Sequence, residues 1–110
     1  MRAKAIIVLA IALFSACRSN EPFRVLQRTE ATIADLPDLR VRVGNVHLAH
    51  VDLTVVDRSD HEIVSLADAK TGSTLPFTYR AKHYALEVVN VEDHLVHDDW
   101  VVLQLSKLSD

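Results

Sequence analysis

From Phe23 onward the chain alternates apolar and polar side chains with a period of two, and this rhythm constrains the fold more than any other feature. Leu39, Val41 and Val43 alternate with Arg40 and Arg42, and Val51, Leu53 and Val55 with Asp52 and Thr54. Leu75, Phe77 and Tyr79 alternate with Pro76 and Thr78. Tyr84, Leu86 and Val88 alternate with Ala85 and Glu87, and Val101, Leu103 and Leu105 with Val102 and Gln104. Successive side chains on a strand face opposite sides, so each run buries one face and wets the other. Residues 63–67 form a shorter, weaker candidate strand, and residues 23–36 read either as a strand or as a helical turn before Pro37. Asp57-Arg58-Ser59-Asp60 and Lys70-Thr71-Gly72-Ser73 are turn-like punctuation. The spacing predicts an all-β fold: a small antiparallel barrel or sandwich of about six strands, with no long helix. Leu53, Leu86, Val101 and Leu103 point inward, because a one-residue slip would move a whole apolar set to solvent. Trp100 has the opposite phase from Val101 and is expected at an edge or against a partner.

Composition narrows the function. At 110 residues the chain holds one domain at most, spanning 23–110. One Cys excludes a disulfide scaffold, and two Gly exclude a Gly-rich phosphate loop. Twelve Lys and Arg against fifteen Asp and Glu argue against nucleic-acid binding, which needs a basic face.

The first residues carry a different signal. Arg2 and Lys4 make a basic start, residues 5–14 are ten uncharged apolar residues, and Ser15-Ala16-Cys17 is a small-residue exit. That order is the layout of an export signal, and the apolar run is shorter than the roughly 20 residues a spanning helix needs. Phe14-Ser15-Ala16-Cys17 resembles the lipobox of bacterial lipoproteins, although Phe14 stands where Leu is usual. The resemblance implies cleavage of residues 1–16, lipidation of Cys17, and a tether over residues 17–22. It also implies anchorage in the cell envelope, and Arg18 after the Cys implies the outer membrane, facing the periplasm, in a Gram-negative cell. Lipidation explains an unpaired Cys in an exported chain, and several acyl chains hold firmly where one does not. The mature part carries ten cations against fifteen acids, so the lipid rather than charge must hold it at an anionic surface.

Catalytic patterns fail one by one. His61-Glu62-Ile63-Val64-Ser65 lacks the second His of a zinc-protease helix and lies in a strand context. Ser59, Asp60 and His61 are adjacent in a turn, where a triad cannot converge. Asp98 and Asp99 read as solvated carboxylates ending a loop rather than an acid/base pair. Phe23, Phe77, Tyr79, Tyr84 and Trp100 lie on strand frames and suit core packing better than ligand stacking.

A weak internal repeat remains. Residues 39–46 can be laid over residues 84–91, with Val43, Asn45 and Val46 identical to Val88, Asn90 and Val91. Each copy then passes through a His-Leu-x-His link, which holds His47 and His50 in one copy and His94 and His97 in the other. If the hairpin tips share one end of the fold, these four imidazoles could take Zn, Cu or Ni, since no thiolate remains once Cys17 is acylated. Ligation needs neutral imidazole, so uptake should weaken as pH falls through about 6.5. The sequence thus predicts a membrane-anchored, non-enzymatic binding, inhibitory or structural module with an envelope protein partner and no cofactor. Its alternative is a metal-binding lipoprotein.

Overall fold

The computed structural model describes residues 21–94 and 98–108. Among these there is no helix; eight strands follow one another along the chain. They are β1 (Phe23–Leu26), β2 (Thr29–Ile33), β3 (Leu36–Val43), β4 (Val51–Val56), β5 (Glu62–Ala69), β6 (Thr74–Tyr79), β7 (Lys82–Glu92) and β8 (Trp100–Lys107). The expected all-β fold is present, with eight strands rather than about six. The two additional strands come from the ambiguous segment: β1 and β2 have four and five residues, too few for a clear period.

The strands form two antiparallel four-stranded sheets, ordered β1-β8-β7-β6 and β2-β3-β4-β5. Neighbours in sequence are neighbours in space throughout, and β1 returns to pair with β8. The ladder is broken only at β1/β2 and at β5/β6, so the fold is an up-and-down barrel pressed into a sandwich. Inward residues of both sheets form one core: Leu39, Val41, Leu53, Val55, Leu86, Val88, Val101 and Leu103 are all fully buried. Each of the four residues expected inward is among them. Phe77 and Tyr84 stack inside the same core with ring centroids 5.5 Å apart, whereas Trp100 is only half-buried on the outer face.

The internal repeat is visible in the pairing. Strand β3 is second in the meander β2 to β5, and β7 is second in the meander β6, β7, β8, β1. Val43 lies opposite Leu53 just as Val88 lies opposite Leu103, and Val41 faces Val55 as Leu86 faces Leu105. One extra residue then enters on the β3 side as on the β7 side. Beyond it His47 faces His50, while Glu92 faces Trp100. The buried pair Val46 and Val91 sits at the same step of both copies.

Strand direction sorts the links into two ends. One end gathers the links β1–β2, β3–β4, β5–β6 and β7–β8, tied by hydrogen bonds. Gln27 N donates to Asp99 O (2.9 Å), Val46 N to Gln27 Oε1 (3.1 Å), Ala49 N to Asp93 Oδ2 (2.9 Å), and Val91 N to Thr71 Oγ1 (3.3 Å). The other end holds the remaining links, where Asp38 pairs with Arg58 and Arg80. The chain enters β1 from this second end, because Phe23 lies opposite Leu103 and β8 continues from there towards Leu108.

Candidate functional site

The end carrying the four tied links brings His47, His50, His94, Asp99 and Trp100 into neighbouring links. The β3–β4 link is a two-residue turn, Leu48-Ala49, closed by two bonds between His47 and His50 (N to O, 2.8 and 2.9 Å). Both turn residues have positive φ, 52° and 63°. A two-residue hairpin prefers this left-handed backbone because its twist matches the strands, but it normally uses Asn or Gly. Leu and Ala there cost about 1–2 kcal/mol each. The Ala49–Asp93 bond helps hold the tip. Leu48 projects outward, 73% exposed. Beside the turn is a hollow of about 280 Å³ lined by Asn45, His47, Leu48, His50, Val51, Asp52 and Asp68. Asp52 Oδ1 accepts from Asp68 N at 2.9 Å, which fixes the bulge in β5.

The β7–β8 link is arranged differently. Asp99 is 7% exposed and accepts the backbone N–H of His94, while its own carbonyl accepts Gln27 N. This corrects the expectation of a solvated carboxylate: Asp99 is turned into the link, where the bond from His94 N stands in for water. The His94 ring lies on Trp100 (centroids 4.7 Å apart, tilted 42°), and the Arg24 guanidinium lies 4.6 Å from the Trp100 ring centroid. Glu92 Oε1 is 3.7 Å from His94 Nε2 and its other oxygen accepts from Asn90 Nδ2. The stack Arg24–Trp100–His94 joins β1, β8 and the link, a cation–aromatic arrangement that sequence reading missed because its members are far apart in the chain.

Of the residues singled out from sequence, His47 and His50 stand directly opposite each other, and His94 lies in the neighbouring link. Cys17 and His97 lie outside the described residues. The two links do share one end and touch through Ala49 and Asp93. The histidines are not equivalent in the repeat, however. The register places Glu92 and Trp100 where His47 and His50 stand, because the β7–β8 hairpin carries the longer link. Among the described residues no group of three or more His, Cys, Asp and Glu is arranged to hold a metal ion.

Among the described residues the largest charge network lies on the outer face of the second sheet. Arg40 bonds to Glu30 and Asp60 and to Asp57 O (2.9 Å); Arg42 bonds to Glu30 (3.0 Å) and Asp60 (2.7 Å). Arg42 and then Arg40 hold the Glu30 carboxyl below the usual carboxylate range, and Arg40 does the same to Asp60. Asp60 and Glu30 in turn raise Arg40. Asp57 is lowered chiefly by the backbone N–H of His61, then by that of Ser59, which together build the β4–β5 turn. These groups satisfy one another, so the network clamps β2, β3 and the β4–β5 link and leaves little charge free for a ligand. Comparisons with protein-family models, curated proteins and solved structures find no match to the chain.

Proposed function

We propose that this chain is a small lipoprotein of the bacterial cell envelope, anchored through acyl chains on Cys17 and acting as a non-enzymatic binding, inhibitory or structural accessory module. In a Gram-negative cell its place is the outer membrane, facing the periplasm. The N-terminal motif supports the anchor, and one structural observation supports the mode of action. The chain enters β1 from the end opposite the four tied links. A tether of residues 17–22 reaches at most about 20 Å at ~3.5 Å per residue. With Cys17 in the bilayer, the linked end points away from the membrane, across the height of the domain. Strand β7, with its eleven residues, spans about 35 Å at ~3.3 Å per residue.

That outward end also carries Leu26 (45% exposed) and Leu48, with Trp100 between Arg24 and His94. Exposed apolar residues around a Trp and an Arg suit recognition of an envelope protein, since Trp and Arg are enriched among the residues that dominate interface energetics. Metabolic labelling with a clickable fatty acid tests the anchor. Label on the wild type, absent from Cys17→Ala, supports it; label retained on the variant, or a mature protein still beginning at Met1, contradicts it.

A second reading, metal binding, is favoured by the contact between the two histidine-bearing links through Ala49 and Asp93.

A further inference from the structure

We propose that His47 and His50 by themselves form a two-imidazole chelate for a divalent transition metal, with Cu²⁺ preferred over Zn²⁺ and Ni²⁺. This deepens the metal-binding reading but needs neither His94 nor His97. The two residues form a hydrogen-bonded antiparallel pair, bonded to each other in both directions. Residues so paired have Cα atoms about 5.5 Å apart and side chains on the same face. Both are exposed. Metal–imidazole bonds of about 2.0–2.1 Å require ring nitrogens about 3 Å apart, a span two such side chains can close by rotation.

The backbone holds the pair in register. A two-residue turn is the tightest link that keeps 47 opposite 50, and it is kept here with Leu and Ala in the left-handed region. Strain of this kind persists only where the surroundings impose it, and the Ala49–Asp93 bond is one such constraint. The adjacent hollow is walled by Asn45, Asp52 and Asp68. It gives room for the waters that complete the coordination, and its carboxylates favour a cation. With two nitrogen donors, oxygen ligands and no thiolate, the site matches the tetragonal preference of Cu²⁺, which also heads the affinity order for such donors.

The test uses the mature lipidated protein in detergent, stripped of metal and titrated with Cu²⁺. Bound metal is counted by equilibrium dialysis and its donors by electron paramagnetic resonance. The wild type should take up one Cu²⁺ per chain at this site, with coupling to two imidazole nitrogens. His47→Ala/His50→Ala should lose that ion, while each single variant weakens it by about tenfold or more, since even outer partners are worth roughly 10–100-fold. His94→Ala should leave it unchanged. Leu48→Asn/Ala49→Gly, which suits the turn without touching the ligands, should keep the site. Should the double Ala variant misfold, His47→Gln/His50→Gln provides the same comparison. No uptake by the wild type, or equal uptake by the double variant, overturns the proposal. Uptake that disappears in His94→Ala as well overturns the two-residue site but leaves a metal centre spanning both links.

Discussion

Replacing Leu103 by Ala tests the packing most sharply. Its side chain is fully buried between the sheets, and its backbone pairs with Val88 on one side and Phe23 on the other. The change removes three carbons' worth of burial, about 2.4 kcal/mol at ~0.8 kcal/mol per buried CH₂. The cavity left behind adds to this, and Leu→Ala at such sites costs about 2–5 kcal/mol in all. Against a total of about 5–15 kcal/mol for a small domain, that is a large share of the stability. Leu53 occupies the equivalent position of the repeat, opposite Val43, and is equally buried. Leu53→Ala should therefore cost within about 1 kcal/mol of Leu103→Ala, each lowering Tm by more than about 10 °C. Leu26→Ala, at a half-exposed outer position, should cost less than about 1 kcal/mol. Urea unfolding of the three variants at constant slope gives the comparison. A Leu103→Ala cost below about 1 kcal/mol, or one no larger than that of Leu26→Ala, would refute the register.

Other expectations follow from the turns and charges. Ala81, at φ 66° in the Arg80-Ala81 turn, is strained, so Ala81→Gly should raise stability by up to about 1 kcal/mol in urea unfolding; a loss would contradict the strain. Glu30, Asp57 and Asp60 have carboxyl pKa values lowered by folding, so they bind protons more readily unfolded. Their contribution is present above the ordinary carboxylate pKa of about 4 and is lost as pH falls below it. Thermal melts should then be flat from neutral pH to about 5 and decline below about 4, with Arg40→Leu showing a shallower decline. Trp100 is the sole Trp, so Arg24→Ala should change its fluorescence while leaving Tm nearly unchanged; an unaltered spectrum would remove the stack from the surface.

The inner faces were legible in the sequence because a period of two leaves only one register that buries Leu53, Leu86, Val101 and Leu103 together. Strands β1 and β2 were not, because four and five residues show little alternation and their break falls at Gln27-Arg28 without a glycine. Arg28, Leu48, Ala49, Arg80 and Ala81 all adopt positive φ. Residues that rarely turn the chain therefore do so here, and tertiary packing rather than local preference decides the links. The repeat was readable from Val43, Asn45 and Val46, but its histidines were aligned by spelling. Hydrogen bonding aligns His47 and His50 with Glu92 and Trp100 instead. The Asp99 carboxylate bonds His94 N within the β7–β8 link, Gln27 of the β1–β2 link bonds its carbonyl, and Arg24 of β1 meets Trp100 of β8, contacts that no local pattern announces.

The orientation of the domain on the membrane is the claim most directly open to measurement. With Cys17 acylated, a cysteine introduced at Leu48 or at Leu108 is the only free thiol and can carry a fluorophore. The lipidated protein is placed in vesicles containing a quencher attached to lipid headgroups. The two labels sit at opposite ends of the sheets, about 25–35 Å apart along the strands at ~3.3 Å per residue. Strong quenching at 108 and little at 48 is the expected result; equal quenching at both, or stronger quenching at 48, would contradict a domain that turns its linked end away from the bilayer.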